Sequence, residues 1–108
     1  MNNNSFKIIA TKSFLKNISK FLEKKEFEKF EKFKERLKNY PYLGDSLRVP
    51  FVREFKTESG KRIYFLVYEE IQIILFVSMS NKKDQNRIIQ IIFENLKEYK
   101  LYVYNNLN

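Results

Sequence analysis

Two neighbouring segments of this chain are apolar on both faces of a strand, and they restrict the possible folds more than any other feature. Lys61–Tyr68 and Ile71–Met79 are dense in β-branched and aromatic residues, and Glu69-Glu70 between them is short enough for a tight hairpin. A strand that is apolar on both faces has to be covered on both faces. We therefore predict two central strands in a sheet with a layer of structure on each side.

One covering layer is predicted from two amphipathic stretches near the N-terminus. They follow a short strand at Phe6–Ala10, after which Thr11 or Ser13 is a candidate N-cap. The apolar residues of the first stretch recur at helical spacing, and after the charged break Glu23–Glu26 a second stripe is rich in phenylalanine. The pattern predicts an antiparallel helical hairpin lying on the sheet, with an aromatic stripe in the core. The apolar residues of the two stretches are Phe14, Leu15, Ile18, Phe21 and Leu22, then Phe27, Phe30, Phe33 and Leu37.

A further strand is predicted between the helical hairpin and the central strands. Tyr40–Asp45 contains a proline and a glycine and ends the second helix. Leu47–Lys56 then has the pattern of a strand, and Pro50 inside it indicates an edge position or a bulge. Thr57–Gly60 is a turn, because Gly60 tolerates a positive φ.

The C-terminal part closes the predicted domain. Lys83–Tyr99 has the pattern of a helix, and Ile91 and Phe93 lie off its inward stripe, which makes them candidates for contact with a partner. Lys100–Asn108 is either an extra strand or a frayed end. The 108 residues suffice for one domain. We predict a single α+β domain over residues 1–108, in the order β-α-α-β-β-β-α, with a small antiparallel sheet, an N-terminal helical hairpin and a C-terminal helix.

The composition excludes several kinds of active site. The chain has no cysteine and no histidine, which rules out disulfides, cysteine nucleophiles, histidine-based triads and the usual zinc sites. Met1–Ser5 is polar and does not have the pattern of a signal peptide, and the longest apolar run, Ile73–Val77, is far shorter than the roughly 20 residues that span a bilayer. We expect a soluble, cytoplasmic protein without a membrane partner.

The charge of the chain predicts a polyanionic partner. Lys and Arg number 21 against 13 Asp and Glu, which gives a formal net charge of +8. The mixed charges of Lys12–Lys38 are typical of a solvated helix face. The bases between Leu47 and Arg62, together with a cluster after the last predicted strand, form a compact positive surface if they share one side of the sheet: Arg48, Arg53, Lys56, Lys61 and Arg62, with Lys82, Lys83 and Arg87.

The order of elements and one local pattern resemble the RelE/ParE superfamily of toxins from toxin–antitoxin pairs. The pattern is a basic strand, a glycine turn, a strand that begins with arginine, a tight hairpin, an apolar strand and a basic exit. The resemblance extends over about Phe6–Tyr99, and its local pattern is carried by Val52–Lys56, Ser59–Tyr64 and Ser80–Asp84, with Tyr40–Leu47 as the link into the sheet.

The resemblance implies an activity and a set of site residues. RelE-like members cut mRNA in the ribosomal A site without a metal, by attack of the ribose 2′-OH on the adjacent phosphate. Arg62 matches the arginine after the glycine turn and would stabilise the phosphate. The family pattern implies Arg53, Arg62, Lys82 and Lys83 as catalytic residues, and Arg48, Lys56, Lys61 and Arg87 as RNA-binding residues. It also implies an antitoxin, the ribosome and mRNA as partners, and no cofactor.

Two departures and two other functions stay open at this stage. Phe55 stands where RelE has a second lysine, although Lys56 is adjacent, and Ile88 falls near the position of a helical tyrosine. Arg62 also has an alternative role as the ion-pair partner of Glu54 or Glu69. The other functions are inhibition of DNA gyrase, as in the ParE branch, and a non-catalytic nucleic-acid-binding or decayed toxin module.

Overall fold

The structure is a computed structural model that describes residues 5–107. Its elements, in chain order, are β1 (Lys7–Ala10), α1 (Lys12–Phe21), α2 (Lys24–Leu37), β2 (Asp45–Leu47), β3 (Val49–Lys56), β4 (Arg62–Tyr68), a 3₁₀ turn (Glu69–Ile71), β5 (Ile73–Ser80), α3 (Gln85–Glu94) and α4 (Leu96–Asn105). The predicted α+β class is confirmed. None of the helices within residues 5–107 combines the length and apolar character needed to cross a bilayer.

The five strands form one mixed sheet in the order β1-β5-β4-β3-β2. β4 and β5 are central, as predicted, and all seven residues of β4 are buried. The prediction of a wholly antiparallel sheet is wrong for one pair: β1 runs parallel to β5, with Lys7 opposite Ile73. The reason is the helical hairpin that follows β1, because it is long enough to carry the chain back across the sheet before the antiparallel strands begin.

The two faces of the sheet are covered by different helices, which gives two cores. On one face, α1 and α2 pack their phenylalanine stripe on the sheet, and the rings of Phe30 and Phe76 meet edge to face at 5.2 Å between centroids. On the other face, α3 and α4 cover Tyr64 and Leu66 with Ile92 and Val103. These four residues belong to one core cluster, and each is 0% exposed. The stripe of aromatic residues is therefore core, as the sequence indicates.

Local capping explains where the helical hairpin begins and turns. Thr11, one of the two predicted candidates, is the N-cap of α1, and its Oγ1 accepts a hydrogen bond from the backbone N–H of Phe14 at 3.1 Å. The charged segment Glu23–Glu26 forms a capping box, in which the N–H of Glu23 donates to Glu26 Oε1 at 2.9 Å. The predicted break is thus the start of α2.

The predicted strand Leu47–Lys56 is divided into β2 and β3. Arg48 lies between them with φ 64°, a left-handed conformation that turns the chain back on itself. β2 is the edge strand, and β3 is internal. The β2–β3 register shifts between Ser46 and Leu47, close to Pro50, so the bulge and not the edge position accounts for this proline.

Two further predictions differ from the structure near the C-terminus. The connection after β4 is a 3₁₀ turn that ends at Gln72 with φ 54°, and not a two-residue hairpin. The predicted helix Lys83–Tyr99 is two helices that meet at Asn95, whose Nδ2 donates to the carbonyl of Ile91 at 2.7 Å. The segment that begins at Lys100, for which the sequence allows an extra strand or a frayed end, is instead part of helix α4 as far as Asn105. Val103 in this segment is buried against the sheet.

Candidate functional site

Three strand ends meet at one end of the sheet and bring several predicted bases together. Lys56 at the end of β3 pairs with Arg62 at the start of β4, and Arg62 pairs with Ser80 at the end of β5. Arg62 lies on the α3/α4 face, because it is two residues from Tyr64 on the same strand. The chain then leads through two exposed lysines into α3. We call this region the basic end and define it by Lys56, Arg62, Lys82, Lys83 and Arg87.

Arg62 occupies the centre of the basic end and is only 8% exposed. Its Nη1 donates to the carbonyl of Gly60 at 2.7 Å, which fixes the guanidinium beside the β3–β4 turn. Its Nε lies 3.9 Å from Oε1 of Glu54, too far for a direct hydrogen bond. Both of these atoms are buried without a hydrogen-bond partner in the described structure. The pair therefore keeps unused hydrogen-bonding capacity at the point where three strands converge.

Glu54 lies in an environment that favours its protonated form. Burial raises the pKa of the Glu54 carboxyl above its usual value, and the charge of Asp45, directly opposite on β2, raises it further. The guanidinium of Arg62 acts in the other direction and lowers the pKa of Glu54. Arg62 is therefore the charge that most strongly opposes the rise in the pKa of Glu54.

Tyr64 and Ser80 form a second polar pair next to Arg62. The Tyr64 hydroxyl and Ser80 Oγ are 2.7 Å apart, and both residues are buried. Burial is the largest cause that raises the pKa of Tyr64, while the hydrogen bond with Ser80 lowers it. A phenol held neutral in this way is a hydrogen-bond donor and acceptor and carries no charge near the arginine.

Arg53 does not join the basic end. It lies on the opposite face of the sheet from Arg62, the face that α1 and α2 cover, because it alternates with the buried Glu54 along β3. Its guanidinium donates to three backbone carbonyls at 2.9–3.0 Å and stacks over the ring of Tyr42 at 5.5 Å. The accepting carbonyls belong to Leu43, Gly44 and Pro50, so these contacts tie the loop before β2 to the start of β3.

Two other predicted RNA-binding residues are also engaged elsewhere. The guanidinium of Arg48 lies 4.8 Å from the ring of Phe93 on α3. The amine of Lys61 donates to the carbonyl of Phe21 at 2.9 Å and to Glu26 Oε1 at 2.8 Å, which ties the β3–β4 turn to the helical hairpin. Hydrogen bonds, of which that from Lys61 is the strongest, lower the pKa of Glu26 to about 2.

The comparisons with known proteins identify the architecture. No protein-family model and no curated protein sequence match this chain. Two solved structures of Escherichia coli toxin RelE match it, both of a mutant with two arginines replaced by alanine. The free toxin gives a TM-score of 0.64 at 16% identity, over 82% of this chain and 98% of that one. The toxin bound to an antitoxin RelBc peptide gives 0.63 at 17% identity, over 78% and 94%. This chain has the RelE fold.

Within this RelE fold, sequence reasoning located some of the polar residues around Arg62 and missed others. The sequence indicates Glu54 only as an ion-pair partner of Arg62 and does not single out Tyr64 or Ser80. A signal was present, since Tyr64 is two residues after Arg62 and must share its face of the strand. Ser80 could not be found in this way, because its position beside Arg62 depends on the register between β4 and β5.

Proposed function

We propose that this chain is the toxin of a toxin–antitoxin pair and that it cleaves mRNA on the ribosome without a metal. The observation that carries the proposal is the basic end, in which an arginine is surrounded by lysines from neighbouring strand and loop ends on a RelE fold. Attack of a ribose 2′-OH on the adjacent phosphate places extra negative charge on the phosphorane, and fixed cations stabilise that charge. No histidine is required for this electrostatic part of catalysis.

The proposed roles follow from burial and position. Arg62 is the proposed cation at the scissile phosphate, because its guanidinium is held in place at the centre of the basic end by the carbonyl of Gly60. Lys56, Lys82 and Lys83 are exposed, so they meet the RNA backbone first. One of these lysines is the proposed proton carrier, while the ribosome positions the strand. Arg87 binds the flanking RNA from α3.

The test is cleavage of mRNA on programmed ribosomes, mapped by primer extension. We expect cuts with ribosomes and none on free mRNA. Arg62→Lys keeps the charge and the approximate length but loses the planar fork, and we expect it to slow cleavage about 100-fold or more. Arg36→Lys is the matched control, because Arg36 is exposed on α2 and remote from the basic end. Cleavage that Arg62→Lys leaves unchanged, or no cleavage by the wild type, would contradict the proposal.

The burial of Arg62 favours a second candidate function, inhibition of DNA gyrase. An arginine that is 8% exposed and faces Glu54 also fits a structural ion pair, and a toxin that acts by binding gyrase would not need this residue at its surface. A gyrase supercoiling assay distinguishes the two candidates. Inhibition by the wild type and by Arg62→Lys alike, together with no cleavage of ribosome-bound mRNA, would replace the first proposal by this one.

The proposed partner in either case is a small antitoxin. One of the matching RelE structures contains an antitoxin peptide, and a net charge of +8 suits an acidic partner. Ile91 is 39% exposed and fits the predicted docking role. Phe93 does not, because it packs into the α3/α4 core and is covered by Arg48. Apolar residues exposed on α4, Leu101 and Tyr104, extend the candidate surface.

A further inference from the structure

A cavity of about 420 Å³ opens beside the basic end, at the point where β1 stops and β5 continues. β1 pairs with β5 only as far as Ala10 opposite Phe76, whereas β5 pairs with β4 as far as Ser80. Among the described residues, positions 77–80 of β5 therefore have no neighbouring strand on the edge along which β1 pairs with the earlier part of β5. The cavity is the space between α1 and this open edge of the sheet.

The walls of the cavity are polar on both sides. Ser13, Asn17 and Lys20 line it from α1. They follow one another at i, i+4 and i+7, so they form an exposed stripe beside the buried residues of the same helix. Asn17 Nδ2 donates to the carbonyl of Ser13 at 2.9 Å, which leaves the side-chain oxygen of Asn17 available to a ligand.

The opposite wall comes from the end of β5 and the loop before α3, with Ser78, Asn81 and Asp84. The N–H of Asn81 donates to Asp84 Oδ1 at 2.8 Å, which fixes this loop. Ser80 also lines the cavity, and its hydroxyl bonds Tyr64, which lies next to Arg62. The loop from Asn81 to Asp84 carries Lys82 and Lys83 of the basic end, so the cavity adjoins the site at which the phosphate is proposed to react.

Resting on the proposed function, we propose that this cavity binds the base of the nucleotide next to the scissile phosphate. Two amides and three hydroxyls present both donors and acceptors, which suits the edge of a nucleobase. Lys20 and Asp84 contribute one charge of each sign to the wall, so the cavity has no excess positive charge to select a phosphate, and a neutral ring suits it better. The volume lies within the range of about 300–1,000 Å³ that is usual for small-molecule sites.

Asn17 and Asn81 are the specificity-determining residues in this proposal. An asparagine side chain can make two hydrogen bonds to one base edge, and a bidentate contact of this kind discriminates against the wrong base by about tenfold or more. Because Asn17 is exposed on α1 and Asn81 lies in a loop, neither substitution removes core packing. Both variants are therefore expected to fold.

The experiment compares cut sites on ribosome-bound mRNAs that carry every base at the two positions beside each cut. We expect Asn17→Ala and Asn81→Ala to lose about tenfold of the base preference at one of those positions, through slower cutting at the preferred base and unchanged cutting at the other bases. Ser19→Ala is the control, since Ser19 is exposed on α1 outside this cavity. Unchanged base preference in both asparagine variants would overturn the inference and leave the proposed cleavage intact. No cleavage by the wild type would instead overturn the proposed function, and the inference with it.

Discussion

Replacement of Arg62 by alanine would change the stability of the protein as well as its activity. Glu54 and Arg62 are 6% and 8% exposed, so Arg62→Ala leaves a buried carboxylate without its cation. Breaking a buried ion pair by removing one partner costs about 3–5 kcal/mol. The 3.9 Å separation of Nε and Oε1, without a direct hydrogen bond, places this pair at the lower limit, so we expect a loss of about 3 kcal/mol in the free energy of unfolding.

The double variant Arg62→Ala with Glu54→Gln isolates the part of this loss that is due to the uncompensated charge. A glutamine in place of Glu54 keeps the size of the side chain and removes the charge. We expect the double variant to be more stable than Arg62→Ala alone by about 1–2 kcal/mol, because a neutral amide is less costly to bury than a carboxylate.

The pH dependence has a definite sign. The pKa of Glu54 is already raised in the folded protein, and without Arg62, which lowers it, the pKa rises further. Above the ordinary value of 4.5, the folded state of Arg62→Ala then binds more protons than the unfolded state. Its stability should therefore increase, relative to the wild type, as the pH falls from 7 towards 5.

Urea unfolding followed by far-UV circular dichroism, at pH 7 and pH 5, measures all three effects. A free energy of unfolding of Arg62→Ala within about 0.5 kcal/mol of the wild-type value at pH 7, the range of an ordinary surface substitution, would refute this role of the ion pair. A double variant no more stable than Arg62→Ala would refute it as well. The same spectra show whether Arg62→Ala is folded when its activity is measured.

Three further experiments test the framework around the site. Glu26→Gln should cost about 1 kcal/mol near neutral pH. Because the pKa of Glu26 is lowered to about 2, its contribution is present above pH 4.5 and disappears as the pH falls towards 2, so melting curves of wild type and variant should converge there. Gly44→Ala should destabilise more than Gly60→Ala in urea titrations: both have positive φ, but only at Gly44 does a Cβ collide with a carbonyl of β3, and a result in the reverse order would contradict this contact. Phe30→Ala should cost about 3–5 kcal/mol in the same titrations, whereas Leu15→Ala, at a side chain 62% exposed, should stay within about 0.5 kcal/mol, and equal losses would place the core elsewhere.

The sequence was most informative where one segment determines its own structure. The N-cap at Thr11 and the helical spacing of the phenylalanines depend only on neighbouring residues, and both predictions are confirmed. The central position of β4 and β5 is confirmed for the same reason, since a strand that is apolar on both faces has no solvent-exposed alternative.

The arrangement of the site was less predictable, because it depends on strand register and on the pairing of distant segments. Arg53 and Arg62 are both bases on adjacent strands, but the pairs Lys56–Arg62 and Arg53–Phe65 place them on opposite faces. A shift of one residue would have reversed this result. The left-handed Arg48 between β2 and β3 was equally hidden, because no glycine or asparagine marks the turn.

The parallel pairing of β1 with β5 has a consequence for how the protein is synthesised. Lys7 finds its partner Ile73 only about 65 residues later, so at about 5–20 residues per second the first strand waits roughly 3–13 s before it can join the sheet. The strands β3, β4 and β5, which form the basic end, are by contrast consecutive in the chain. On a translating ribosome the antiparallel part of the sheet can therefore assemble before the N-terminal strand docks against β5.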